Sequence, residues 1–99
     1  MGIKNLKDTL ICLELDKYAY LSINDIGRGP RRISIVEENG QFDVYTSNER
    51  GYVTKEGESL SEKDACEMVI QLFQDEKYLY DYYESKGKLE ENGYAPIKK

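Results

Sequence analysis

The sequence predicts an α+β domain: an antiparallel four-stranded meander with a short N-terminal helix and a long C-terminal helix packed on one face. Three observations carry that expectation. The stretch Ser61–Tyr83, SEKDACEMVIQLFQDEKYLYDYY, places Ala65, Val69, Leu72, Phe73, Tyr80 and Tyr83 on one helical stripe, with Asp64, Glu67, Gln71 and Gln74 on the other side. Asn39-Gly40 stands between two alternating runs and supplies the two residues with positive φ that a type I′ hairpin turn requires. Four short alternating or β-rich runs, 18–23, 32–38, 41–47 and 52–56, are separated by turn-rich segments, as consecutive strands are. An amphipathic helix needs a partner surface and a one-faced meander needs a cover, so the two are expected to pack together.

The elements follow in order. Ile3, Leu6, Leu10 and Leu13 recur at helical spacing, so residues 3–14 read as a short amphipathic helix whose apolar side Ile11 and Cys12 widen. In Tyr18–Ile23, Ala19, Leu21 and Ile23 alternate with Tyr18, Tyr20 and Ser22, the pattern of a half-buried strand. Asn24–Arg31, NDIGRGPR, carries two glycines and a proline and reads as a loop. Arg32–Glu38 and Gln41–Ser47 flank the Asn39-Gly40 turn, with Ile33 and Ile35, then Phe42 and Val44, on the inner side. Asn48–Gly51 is a second tight turn, Tyr52–Glu56 a fourth strand, and the polar GESL leads to Ser61. Ser61 is the expected N-cap of the long helix, with Glu62 and Asp64 where the helix dipole favours negative charge. Residues 1–87 are expected to form a single domain and residues 88–99 a loosely ordered tail.

Composition bounds the chemistry. Ninety-nine residues can bury one adequate core. There is no histidine, and the two cysteines, Cys12 and Cys66, form no C-x-x-C, which removes zinc fingers, histidine general bases and Cys–His nucleophile pairs. Both cysteines are expected to be buried small hydrophobes on helices. The N-terminus lacks the apolar run of a signal peptide, and no segment approaches the ~20 apolar residues of a membrane span, so the cytoplasm is the expected compartment and no membrane contact is expected.

The net charge of −5 is uneven: residues 1–60 hold 8 basic and 10 acidic side chains, residues 61–84 hold 2 and 7, and residues 85–99 hold 4 and 2, contributing −2, −5 and +2. An acidic chain repels nucleic-acid phosphates and is steered toward basic partners. Carboxylate pairs such as Glu37/Glu38 and Glu56/Glu58 sit at polar turns with nothing to mark a dry cleft, so no catalytic, cofactor or metal residue is assigned and the protein reads as a non-enzyme.

Up-and-down topology supplies a positional argument. With strand one running upward, the 24–31 loop and the Asn48–Gly51 turn both lie at the top, which gathers all four arginines, Arg28, Arg31, Arg32 and Arg50, at one edge. A strand of about 20 Å and a rise of about 1.5 Å per helical residue bring the long helix to that edge near residue 74, with Tyr78, Tyr80, Tyr82 and Tyr83 beyond it. Arginine and tyrosine dominate protein-binding hot spots, so Arg28, Arg31, Arg32, Glu49, Arg50, Tyr78 and Tyr82 are the candidate partner-binding residues. The competing reading has the tyrosines capping the core and the arginines paired with Glu49, Asp25 and helix carboxylates.

The order of motifs resembles the small immunity proteins of bacterial polymorphic toxin systems, in particular the family catalogued as immunity protein fifty-nine. The resemblance covers about residues 3–73: the first helix, Tyr18-Ala19-Tyr20-Leu21-Ser22, the glycine- and arginine-bearing loop, Phe42-Asp43-Val44-Tyr45, Glu49-Arg50-Gly51 and Glu62-Lys63-Asp64-Ala65-Cys66. It implies a cytoplasmic protein that binds a cognate toxin domain and acts by occupancy, without cofactors. A basic, nuclease-like toxin would suit the acidic helix. An acidic nucleic-acid-mimicking inhibitor and a non-catalytic regulatory or adaptor subunit are the alternatives.

Overall fold

The computed structural model describes residues 2–48 and 50–87, with the chain running α1 (Ile3–Cys12), β1 (Tyr20–Ile23), β2 (Arg32–Glu38), β3 (Gln41–Ser47), β4 (Val53–Leu60) and α2 (Glu62–Ser85). Glu49 and the expected tail, residues 88–99, lie outside the described residues. The strands form one sheet in the order β1-β2-β3-β4, with both helices on one face. The result is the expected α+β fold. Among the described residues no helix is long and apolar enough to cross a membrane.

The sheet is mixed, which corrects the all-antiparallel expectation. β2–β3 and β3–β4 are antiparallel, but β1 runs parallel to β2, pairing Tyr20 with Arg32 and Ile23 with Ile35. The 24–31 loop therefore returns along the whole strand, across the face opposite the helices. It can lie flat because the side chains beneath it are small. Gly27 N–H donates to Ser34 Oγ at 2.9 Å and Ser47 Oγ donates to the Gly29 carbonyl at 2.7 Å. A Cβ at Gly27 would collide with the stem of Arg32 and sit 2.7 Å from Ser22 Oγ. Buried Ser34 and Ser47 thus have their hydroxyls satisfied by the loop.

The hairpin turn forms as expected, with Asn39 at φ 55° and Gly40 at φ 80°. Two strand boundaries differ. β1 begins at Tyr20 because Tyr18 and Ala19 both turn into the core. β4 continues through the polar residues to Leu60, which pairs with Phe42; where the register slips, the Ser59 amide, at φ 54°, donates to Asp43 Oδ1 at 2.9 Å in place of a ladder bond. An edge strand tolerates this polarity because one side faces water.

The helices share one core. Ala65, Cys66, Val69 and Phe73 of α2 are buried with Ile33, Ile35, Phe42 and Val44 of the sheet and Leu6 and Leu10 of α1. Ser61 caps α2 as expected, its side chain accepting from the Asp64 amide at 3.1 Å. α1 has no side-chain cap of its own; Glu62 of α2 supplies one by accepting from the Ile3 amide at 2.8 Å.

α1 ends differently from the expectation. Glu14 adopts φ 58°, its amide bonds to Ile11 O, and the Leu15 amide reaches back to Leu10 O at 2.9 Å. That closure is a Schellman motif, and it turns Leu15 rather than Leu13 into the core beside Leu10. Ile11, Cys12 and Leu13 are left exposed. Of the two cysteines expected to be buried, Cys66 is and Cys12 is not, and both are free thiols.

Candidate functional site

The parallel β1 reverses one step of the positional argument yet preserves its outcome. β1 starts at the edge where it was expected to finish, and the 24–31 loop leaves from the far end, tied there by Asn24: its amide donates to Ile35 O at 2.8 Å and its Oδ1 accepts from the Glu37 amide at 3.0 Å. The loop then runs back, so that Gly29–Arg32 arrive at the end of the sheet where β3 stops at Ser47 and β4 begins at Val53. Arg28, Arg31, Arg32 and the Asn48–Gly51 turn thereby share one rim.

That rim is assembled largely by side chains that bond to backbone. Asn48 Oδ1 accepts from the Arg50 and Tyr52 amides at 2.9 and 3.1 Å, and the Gly51 amide bonds to Asn48 O, so one asparagine side chain shapes the turn. Arg28 Nη1 donates to the Gly51 carbonyl at 3.4 Å and links the two loops. On the other loop Arg31 sits at φ 52°, a left-handed conformation that costs a non-glycine residue roughly 1 kcal/mol or more.

The arginines divide into two pairs. Arg28 and Arg50 are exposed, whereas Arg31 and Arg32 are half-buried. Arg32 is committed to the fold: its guanidinium lies 5.0 Å over the Tyr20 ring while its stem packs against Gly27. Glu49 lies outside the described residues.

α2 reaches the rim because of its length. Its 24 residues rise about 36 Å, while strands of seven or eight residues span about 25 Å, so its last turns overhang the sheet. Tyr80 is drawn back by an edge-on contact with Tyr18, ring centroids 5.2 Å apart. Tyr78 and Tyr82 lie on the opposite side of the helix, 72% and 49% exposed, in line with Gln71 and Asp75. Lys77 and Asp81 pair at 2.8 Å on the surface, and that carboxylate holds the Lys77 ammonium above its ordinary pKa.

Tyr52, 67% exposed at the start of β4, joins the rim and was not among the candidate residues. Its signal in the sequence was slight, an aromatic next to the glycine of a turn. Beneath it, between α2 and the β3–β4 end of the sheet, opens a groove of about 290 Å³ whose lining includes Ile33, Thr46, Tyr52, Glu56, Leu72 and Asp75. Periodicity could not have revealed it, because the groove is made by three elements distant in sequence. Among the described residues no group of three or more acidic or cysteine side chains could hold a metal ion.

Fold and rim together define a small α+β domain in which Arg28, Arg50 and Tyr52 are exposed around the turn after β3, next to a groove that Tyr52 helps to line. Comparison of the chain with family models, with curated proteins and with solved structures found no match in any of the three.

Proposed function

We propose that this protein is an immunity protein, which binds a cognate bacterial toxin domain and neutralises it by occluding its active site or substrate path. The observation that supports the reading is the exposure of Arg28, Arg50 and Tyr52 around the turn after β3, and of Tyr78 and Tyr82 on the last turns of α2. Large, rigid side chains with a satisfiable polar tip are the residues that concentrate binding energy. The motif resemblance over about residues 3–73 supports a toxin domain as the partner, and the acidic α2 suits a basic toxin such as a nuclease by steering its approach.

The test is rescue. Cells expressing the toxin encoded immediately upstream are expected to survive when this protein is co-expressed, through a tight one-to-one complex; an active toxin that is not neutralised ends the proposal. Within that complex, Arg50→Ala and Tyr78→Ala are each expected to weaken binding by about 1 kcal/mol or more, measured by calorimetry, with the melting temperature unchanged. Unchanged affinity in both variants would move the contact surface away from the rim. The seven acidic against two basic residues of segment 61–84 favour a second reading, an acidic nucleic-acid mimic. A mimic inhibits several unrelated DNA-binding proteins, whereas an immunity protein inhibits one.

A further inference from the structure

The geometry points to the groove beneath Tyr52 as a socket for one basic side chain, a lysine or arginine, presented by a protein partner. This deepens the toxin-binding reading and rests on it for the identity of that partner. The groove combines an apolar floor, Ile33 and Leu72, with an aromatic wall, Tyr52, two exposed carboxylates, Glu56 and Asp75, and the half-buried carboxylate of Glu76. A long cationic side chain has that same division, an aliphatic stem with a charged head. The volume of about 290 Å³ falls just below the range of small-molecule sites, about 300–1,000 Å³, and so suits a side chain better than a cofactor.

The two exposed carboxylates, Glu56 and Asp75, differ from the ion-paired acids of the surface in how they are held. Asp43 and Glu58 pair with Lys55, and Asp81 pairs with Lys77. Glu56 Oε2 instead accepts from Thr46 Oγ1 at 2.8 Å, and Asp75 Oδ1 from Gln71 Nε2 at 3.0 Å. Both are thus oriented by neutral donors, and among the described residues neither forms an ion pair. Their charge is fixed in place and uncompensated, which is what an incoming cation requires. A delocalised guanidinium or an ammonium on a flexible stem matches this apolar floor with carboxylates at its edge. Arg50, two residues before Tyr52 on the same turn, repels a second cation and so orients the partner segment, its basic side chain over the groove and an acidic neighbour toward Arg28 and Arg50.

The socket is tested without a toxin, by titrating the isotope-labelled protein with N-acetylarginine amide and with its neutral isostere N-acetylcitrulline amide while recording amide chemical shifts. The arginine probe is expected to give saturable shifts confined to residues around Thr46, Tyr52, Glu56, Leu72 and Asp75. Binding of the citrulline probe is expected to be about tenfold weaker, and the arginine probe should lose about the same factor on the double variant Glu56→Gln, Asp75→Asn. Both substitutions keep side-chain shape at exposed positions, the spectrum itself reports folding, and the two single variants stand in if the double one does not fold. Equal shifts with both probes, or undiminished binding by the double variant, would overturn the assignment. Rescue in toxin-expressing cells reads the other claim separately: probe binding without rescue leaves the socket and removes the immunity role, and rescue without probe binding does the reverse.

Discussion

The two faces of the sheet are covered by different means. On one, α1 and α2 bury Phe73, Val69 and Leu10 against Ile33, Ile35 and Val44, and cohesion comes from apolar area removed from water. On the other, the 24–31 loop lies over Ser22, Ser34 and Ser47, held by two hydroxyl hydrogen bonds and by the absence of a side chain at Gly27. A helix layer is stabilised by what fills it, and a loop layer by what leaves room. The rim is where the two covers meet, α2 overhanging from one side and Arg28 reaching Gly51 from the other, so the proposed partner surface draws on both, while apolar burial lies mainly under the first.

The difference has measurable consequences, and the largest lies under the helices. Phe73 is 1% exposed at the centre of the core, and Phe73→Ala is expected to cost about 3–5 kcal/mol in chemical denaturation. A loss below about 1 kcal/mol would mean that α2 contributes little to the core and would erase the contrast between the faces.

On the loop face the sensitive change runs the other way, from small to large. Gly27→Val forces a branched side chain against Ser22 and the Arg32 stem, and is expected to cost about 1–3 kcal/mol by lifting the loop. Because the loop carries Arg28, that variant should also weaken binding to the proposed toxin partner, whereas a core variant that still folds should not. Unchanged stability in Gly27→Val would show that the loop is not packed on the sheet.

The smallest effect is a pH dependence confined to the helix face. Burial pushes the Cys66 thiol above its ordinary value of 9.0, with the Glu62 carboxylate adding to the shift. Between that value and the raised folded one, the unfolded thiol releases its proton while the folded thiol keeps it, so stability falls as pH rises. The melting temperature is expected to drop further between pH 8 and 10 in the wild type than in Cys66→Ala. Parallel curves would remove Cys66 as the cause. The exposed Lys55 and Lys77, held above 10.5 by Glu58 and Asp81, lose their pairing only at still higher pH.

By itself the sequence determined the elements: the stripe of α2 and its Ser61 cap, the Asn39-Gly40 hairpin, and most of the core, since each is written within a few neighbouring residues as a period or a turn preference. It also placed the arginines at one end, though by a route that the parallel β1 corrects. Only the tertiary structure decided which way β1 runs, that the 24–31 loop folds back over serines, that a Schellman closure exposes Ile11 and Leu13 in favour of Leu15, and that Ile33, Tyr52, Glu56 and Asp75 enclose a groove. Each of those outcomes turns on whether two distant segments fit against one another. An eight-residue connection can return as a hairpin or cross over, and local preference does not distinguish the two; the missing Cβ of Gly27 and the small side chains on the strands beneath it settle the choice, and they act only once the sheet has formed.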